Sequence, residues 1–263
     1  MRNVSAAVVI VCSVFCISAS DEYSVKRSEI VHTYGAVKPK SFGMYIPGVK
    51  THIKTDKKII ALTFDGCGGN IGGRFDRELI EFLSAQKIPA TLFVTTAWIK
   101  KNEENFAALQ KNTLLDLQNH GYNHRPASVN GASAWGIRGT EDAGKCFDEF
   151  EMSAREFQKR TGRRPVFYRS GTAYFDDVSL KILAETGQTA MNFSGVTGDA
   201  DKDLSLRTVE KFIRQNIKPG AVLIMHFNRP GGKTLPAMKK LIPEMKAEGY
   251  EFVKLIDYKN ALE

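Results

Sequence analysis

Short apolar runs that alternate with helical patterns constrain the fold of this 263-residue chain more than any other feature. Seven runs have the composition of strands: 58–64, 90–95, 115–119, 166–169, 189–193, 221–226 and 251–254. Helical patterns lie between them and begin at Phe75, Glu103, Glu141, Asp176, Leu206 and Leu235. This alternation predicts a parallel sheet covered by helices, either closed as a barrel or doubly wound. Seven strands favour an incomplete α/β barrel, although the run at 115–119 could equally finish the preceding helix.

Titratable side chains stand at the downstream ends of several predicted strands. Asp65 ends the first run, Arg169 the fourth and His226 the sixth. His120 and His124 follow the third run, in NHGYNH. In an α/β barrel the carboxyl ends of the strands meet at one face, where active sites are built. We therefore expect these five residues to converge at one catalytic site.

The spacing of the two histidines is compatible with a metal site. Residues at i and i+4 lie on the same side of a helical turn, so His120 and His124 could bind one metal ion. Two hydrogen-bonded loop histidines would show the same spacing. The titratable residues at the ends of the other strands favour the metal site.

The first twenty residues differ from the rest of the chain. Arg2 precedes the apolar stretch VSAAVVIVCSVFCI, and SAS precedes Asp21. This order is typical of a secretory signal peptide cleaved after Ser20, and the stretch is short for a membrane span. An uncleaved amphipathic or buried segment is the alternative. We expect an exported product, periplasmic or secreted, with an N-terminal arm over 21–56 and a single domain over 57–263.

Charge and cysteine content narrow the range of partners. The formal net charge of +8 is spread along the chain, which is typical of solvated surfaces. A weaker interpretation is attraction to an anionic polymer such as a cell wall. Nucleic acid is not expected as a partner, because no recognition motif is present. Cleavage after Ser20 would leave Cys67 and Cys146, which could form one disulfide or remain two buried thiols.

Five motifs occur in the order expected of one enzyme family: TFDGCGG, NHGYNH, FYRSGTAYFDD, GDAD and LIMHFNRPGG. From about residue 58 to 256 the chain resembles the polysaccharide deacetylases, the NodB-homology or carbohydrate esterase family 4 group. The resemblance implies a distorted (β/α)7 barrel, which agrees with the strand–helix alternation. It also implies metal-dependent hydrolysis of N-acetyl groups on an amino-sugar polymer such as peptidoglycan, a chitin-like polymer or an exopolysaccharide.

The resemblance implies a role for each matched residue in acid–base chemistry. Asp65 would be the general base that activates water, and Arg169 would hold it in place. His226 would be the general acid, and Asp199 would orient it. This assignment is chemically reasonable, because the departing amine is a poor leaving group unless it is protonated, and histidine supplies protons near neutral pH.

The implied metal site departs from the family pattern at one ligand. His120 and His124 would bind a divalent cation, commonly zinc, but the usual T-F-D-D motif places a third ligand where this chain has Gly66. Water could take that place, Asp65 could bend toward the metal, or another carboxylate such as Asp76 could reach in. Two imidazoles without a carboxylate would bind the cation more weakly.

Substrate contacts are expected from the loops that follow the strands. Tyr122 and Tyr174 lie in such loops and could stack on sugar rings, and Asn228 follows His226. Trp135 could also stack, or could belong to the core. The third motif reads R-S-G-T-A instead of R-P-P-[FY]-G, which predicts a reshaped groove.

Two other functions remain open at this level. Loss of a metal ligand at Gly66 would suit a carbohydrate-binding pseudoenzyme. The same architecture could also hydrolyse a C–N bond outside sugars, because one fold serves many chemistries. A serine hydrolase is not expected, because no G-x-S-x-G motif surrounds Ser170.

Overall fold

The computed structural model describes residues 19–263, so most of the predicted signal peptide (1–20) lies outside the described residues. The strands are Phe42–Gly43 (β1), Ile59–Gly66 (β2), Ala90–Val94 (β3), Leu115–Asn119 (β4), Phe167–Tyr168 (β5), Phe175–Asp176 (β6), Thr189–Ala190 (β7), Gly195–Val196 (β8), Ala221–His226 (β9) and Glu251–Val253 (β10). The helices are Ala19–Tyr34 (α1), Gly69–Gly72 (α2), Arg77–Ala85 (α3), Thr96–Lys101 (α4), Glu103–Gln110 (α5), Ala143–Thr161 (α6), Asp177–Glu185 (α7), Leu206–Gln215 (α8) and Thr234–Ala247 (α9), before a 3-10 segment at Leu255–Ala261.

The main sheet is parallel and curled. Its strands follow the order β7-β5-β4-β3-β2-β9-β8, and β10 pairs with the beginning of β2. The edge strands β7 and β8 are joined by only residues 191–194, so the sheet curls into an open half-barrel. This confirms the predicted distorted (β/α)7 barrel. β1 and β6 form a separate antiparallel pair.

The burial of the central strands explains why they could be recognised in the sequence. All eight residues of β2 are buried, as are all five of β3 and all five of β4. Parallel strands that are covered by helices on one face and by the barrel interior on the other are apolar on both faces and read as continuous hydrophobic runs. All seven predicted strands are present, and residues 115–119 form a strand instead of the end of a helix.

The N-terminal arm is the part of the fold where the sequence interpretation was wrong. We expected an extended lead-in from residue 21, but residues 19–34 form α1, which packs on α6. Arg27 donates two hydrogen bonds to the carboxylate of Asp148, and Ile30 is buried. The helix is mostly polar and lacks a continuous apolar stripe, which is why periodicity missed it.

Among residues 19–263, no helix has the length and apolar character needed to cross a membrane.

Candidate active site

The carboxyl ends of the central strands surround a cavity of about 830 Å³. Asp65, His120, His124, Asp199 and His226 all line it. Asp65 and His226 are side by side because β2 and β9 pair in parallel with these two residues in register. His120 directly follows β4, the second strand from β2. The structure thus brings the predicted residues together at one rim.

Arg169 lies beneath the cavity and is completely buried. Its Nη1 donates to Asp65 Oδ1 at 2.8 Å and to Thr63 Oγ1 at 3.0 Å. Its Nε and Nη2 donate to the carbonyl oxygens of Met191 and Asn192. These hydrogen bonds fix the orientation of the guanidinium, and the ion pair with Arg169 fixes the orientation of the Asp65 carboxylate.

The surroundings of Asp65 keep its carboxylate ionised. Burial raises the pKa of Asp65, but the opposing charge of Arg169, together with His120 and His226, holds the pKa below its usual range. Asp65 Oδ2 lies 3.6 Å from His120 Nε2. One oxygen is thus occupied by Arg169 and the other faces the histidines, which suits a group that accepts a proton.

His226 is held by Asp199. The Nδ1 of His226 donates to Asp199 Oδ1 at 3.1 Å, and its backbone N–H donates to Oδ2 at 2.7 Å. The hydroxyl groups of Thr197 and Thr234 also donate to this carboxylate. Burial lowers the pKa of His226, but Asp199 and the sulfur of Cys67 raise it well above the ordinary value. An imidazolium in this position is prepared to donate a proton.

A third potential metal ligand, Cys67, lies beside the histidine pair, and the sequence analysis missed it. Its Sγ and one ring nitrogen from each of His120 and His124 all lie within 4.8 Å of one another. His120 Nδ1 donates to the carbonyl oxygen of Arg169 at 2.9 Å, which leaves Nε2 free to bind a cation. His124 Nε2 is buried and has no hydrogen-bond partner among the described residues. This donor set fits a divalent cation such as zinc.

Cys67 is in an environment that favours its thiolate. Burial raises the pKa of the thiol, but contacts with His124 and His226 outweigh burial and lower it to about 6. A thiolate is the form that binds metals. The signal for this residue was present in TFDGCGG, one position after the glycine that replaces the usual ligand.

One of the three replacements considered for the missing ligand does not fit the structure. Asp76 caps helix α3, accepting the N–H of Leu79 at 3.1 Å, and does not line the cavity. The suggestion of Asp76 was wrong, because its carboxylate is engaged at the beginning of that helix. Asp65 Oδ1 is paired with Arg169, whereas Oδ2 lies 3.6 Å from His120 Nε2, so a contact of Asp65 with the metal stays a prediction.

The disulfide alternative is also wrong. Cys67 and Cys146 are both free thiols. Cys146 is buried in α6, within an apolar cluster, whereas Cys67 lines the cavity.

The histidine pair converges without a helical turn. Gly121 and His124 both have positive φ, of 94° and 60°, so the segment turns sharply after β4. The carboxylate of Glu149 accepts the backbone N–H of Asn123 at 2.9 Å and that of Arg125 at 3.3 Å, one on each side of His124. Glu149 therefore holds an otherwise unfavourable backbone conformation in place.

The predicted substrate contacts differ in their placement. Tyr122 and Asn228 line the cavity. Tyr174 does not line it; its ring packs between Phe42 and Trp135, with ring centroids 5.2 and 6.1 Å away. Trp135 lines the rim and is 73% exposed, so Trp135 rather than Tyr174 presents an exposed aromatic surface at the cavity.

Comparison with known proteins agrees with this arrangement. A family model described as polysaccharide deacetylase matches residues 52–191. A peptidoglycan-N-acetylglucosamine deacetylase of Bacillus cereus is 23% identical over 220 residues, covering 81% of this chain and 94% of the relative. The family 4 carbohydrate esterase PdaA of Bacillus subtilis has a TM-score of 0.67 at 19% identity, covering 88% of each chain.

The fold and the acid–base residues around the cavity define an α/β-barrel hydrolase. The chain belongs to the polysaccharide deacetylase family, whose hydrolases act on N-acetyl C–N bonds. A family 4 pseudoenzyme from Bacillus anthracis is also similar, with a TM-score of 0.65 at 21% identity over 81% of this chain and 69% of that one. The fold is therefore shared by carbohydrate esterases and by a pseudoenzyme.

Proposed function

We propose that this chain is an exported, metal-dependent N-deacetylase that acts on an amino-sugar polymer. One observation carries the proposal: a fixed carboxylate, Asp65, and a carboxylate-held imidazole, His226, flank the histidine pair in an open cavity. Two relatives named peptidoglycan-N-acetylglucosamine deacetylases support peptidoglycan as the substrate. The apolar stretch in the first twenty residues supports export.

The acid and the base have opposite charge states for a physical reason. Asp65 stays ionised because Arg169 compensates its charge, and it can take a proton from the attacking water through Oδ2. His226 stays protonated because Asp199 stabilises the imidazolium, and its Nε2 can deliver a proton to the departing amine nitrogen. Two titratable groups whose pKa values are shifted in opposite directions are typical of sites of acid–base catalysis.

His120 and His124 would hold the cation beside Asp65, with Cys67 next to them. When bound, a divalent cation polarises the acetyl carbonyl and lowers the pKa of water. Imidazole and sulfur donors bind zinc in preference to magnesium or calcium.

The rim of the cavity is suited to a sugar chain. Trp135 is largely exposed there, and the ring of Tyr174 packs edge-to-face against it. Tyr122 lines the cavity on the histidine side. Aromatic rings placed around a polar centre can stack on sugar rings while the N-acetyl group enters the site.

The experiment is acetate release from peptidoglycan and chitin oligomers by wild type, Asp65→Asn and His226→Ala. Each substitution should lower kcat by about 10²–10⁴-fold, the usual contribution of a general acid or base, with the circular dichroism spectrum unchanged. Asp201→Asn, at an exposed carboxylate near the site, is the matched control and should keep wild-type turnover.

Three results would contradict the proposal. Near wild-type turnover by Asp65→Asn or His226→Ala would refute the assigned roles. Polymer binding without acetate release, at saturating zinc, would identify a carbohydrate-binding pseudoenzyme. Hydrolysis of simple amides or cyclic ureides, but of no amino sugar, would identify an enzyme acting on another C–N bond.

A further inference from the structure

We propose that Cys67 is the third protein ligand of the catalytic cation, so that the site is a thiolate and two imidazoles. The inference rests on the proposed function only in assuming that the site holds a metal. Its test is read from metal binding and spectroscopy, which do not depend on turnover.

The geometry of the cluster carries the inference. Sγ of Cys67 is 3.8 Å from His120 Nε2, and the three donor atoms lie within 4.8 Å of one another. Atoms that bind one zinc ion at about 2.0–2.3 Å must lie at separations of this order. His120 has its other nitrogen occupied by a carbonyl, so only Nε2 can face the cation.

His124 supplies a second, independent observation. Its Nε2 is buried without a hydrogen-bond partner in the part of the chain that the structure describes. A buried polar atom without a partner destabilises the folded state, and a metal bond would remove that cost. The strained backbone at His124 is maintained by Glu149, as expected for a residue whose ring must be aimed at a fixed point.

The structure also explains why the ligand cannot stand at position 66. A Cβ atom on Gly66 would lie 2.8 Å from the ring of Phe227 and 3.3 Å from Trp98. Trp98 is completely buried, and its ring lies 4.9 Å from that of Phe227 in an edge-to-face contact. The two aromatic rings fill the space that a side chain at position 66 would need, so the metal-binding side chain is that of the next residue, Cys67.

A thiolate at this position changes which metal ions the site prefers. It supplies one negative charge, as a carboxylate would, so the cation is not left with two neutral ligands. Sulfur is a softer donor than oxygen and disfavours magnesium, calcium and manganese relative to zinc. Three protein ligands leave a fourth position free, which is the pattern of catalytic zinc sites.

Cys67 could instead act as a nucleophile with His226, which it contacts. That role would leave the unpartnered nitrogen of His124 unexplained. It would also not need His120 Nε2 to face the sulfur. The metal-ligand role accounts for all three side chains at once, and the nucleophile role is an outcome of the test.

The test compares full-length wild type, Cys67→Ser, Cys67→Asp and Cys146→Ser. Cys146 is the matched control, because it is a buried free thiol away from the cavity. Each protein is loaded with cobalt(II), and the near-ultraviolet sulfur-to-cobalt charge-transfer band is recorded. Zinc affinity is measured by competition with a chelating dye, and alkylation of Cys67 by iodoacetamide is followed by peptide mapping.

Wild type and Cys146→Ser should show the charge-transfer band, and zinc should protect Cys67 from alkylation. Cys67→Ser should lose the band and about 100-fold or more of its zinc affinity, because even outer partners of a ligand are worth 10–100-fold. Cys67→Asp should recover much of the affinity without the band, which separates ligand loss from misfolding.

An unchanged band, or zinc affinity within about twofold of wild type in Cys67→Ser, would overturn the inference. If that variant kept its zinc but lost acetate release, Cys67 would be a nucleophile, and the proposed function would survive. If wild type showed the band but released no acetate from any polymer, the proposed function would fail and the ligand assignment would stand. Failure of wild type to bind cobalt or zinc would overturn both.

Discussion

At the scale of single residues, the site depends on side chains held by partners that do no chemistry themselves. Arg169 fixes Asp65, Asp199 fixes His226, and Glu149 fixes the backbone around His124. Burial raises the pKa of Glu149, while the backbone N–H groups of its neighbours favour the charged form. Its carboxylate is the acceptor for a turn that has no regular secondary structure to satisfy it.

We predict that Glu149→Ala weakens metal binding without touching a ligand. The backbone N–H groups of Asn123 and Arg125 would lose their acceptor, which costs about 1–3 kcal/mol of stability and releases the turn that aims His124. Zinc affinity should fall about 10–100-fold, as for other groups that support metal ligands. Isothermal titration calorimetry and urea unfolding measure the two effects.

The conservative variant makes this prediction specific. Glu149→Gln keeps one carbonyl oxygen as an acceptor and should retain most of the zinc affinity lost in Glu149→Ala. Glu156→Ala, in the same helix but paired with Arg160, should leave zinc affinity unchanged. Equal affinities for Glu149→Ala and wild type would show that Glu149 does not position His124.

At the scale of secondary structure elements, α1 is attached to the barrel by polar contacts. Arg27 meets both carboxylate oxygens of Asp148 in α6, at 2.8 and 3.0 Å, and Tyr23 donates to the same group. Lys26 reaches Glu185 in α7 at 2.8 Å. Because the helix has no continuous apolar stripe, these contacts carry a large share of its docking.

We predict that Asp148→Asn loosens α1. The substitution removes a charge that Arg27 and Tyr23 share, and the pair is partly exposed, so the expected loss is about 1–2 kcal/mol of unfolding free energy. Limited proteolysis should cut within residues 19–40 faster than in wild type. Glu22→Gln, at an exposed carboxylate of the same helix, is the control. Unchanged stability and cleavage would mean that apolar contacts such as Ile30 hold α1 alone.

At the scale of the whole molecule, the candidate ligands come from two different strand ends. Cys67 follows β2, whereas His120 and His124 follow β4, on the far side of β3. The acid, His226, ends β9 on the other side of β2. A cation held by these groups would link loops that are distant in sequence and would bind the folded chain only.

We predict that removal of the metal lowers the melting temperature. A ligand present at 100 times its Kd stabilises the folded state by about 2.7 kcal/mol, which corresponds to several degrees for a chain of this size. Differential scanning calorimetry with zinc and with a chelator measures the shift. His124→Ala should lose the shift, whereas His32→Ala, at an exposed position of α1, should keep it. A zinc-dependent shift of wild-type size in His124→Ala would place the metal elsewhere.

The parts predicted from sequence are those with a local signal. The central strands β2, β3 and β4 were found because each is buried on both faces and therefore mostly apolar. Asp65, His120 and His226 could be identified because they end such strands, and the parallel topology forces those ends to one face. Helix α1 was missed because its docking depends on partners in α6 and α7, more than 100 residues away.

The amino-acid sequence alone determined the parallel α/β architecture and the set of groups at its catalytic face, because strand periodicity and strand ends are local properties of the chain. Only the tertiary structure decided which side chain accompanies the two histidines. Trp98 and Phe227, far apart in sequence, close the space at Gly66 and leave Cys67 facing the imidazoles. Packing between distant segments sets that choice, because the motif TFDGCGG contains the cysteine but does not show which of its positions faces the histidines.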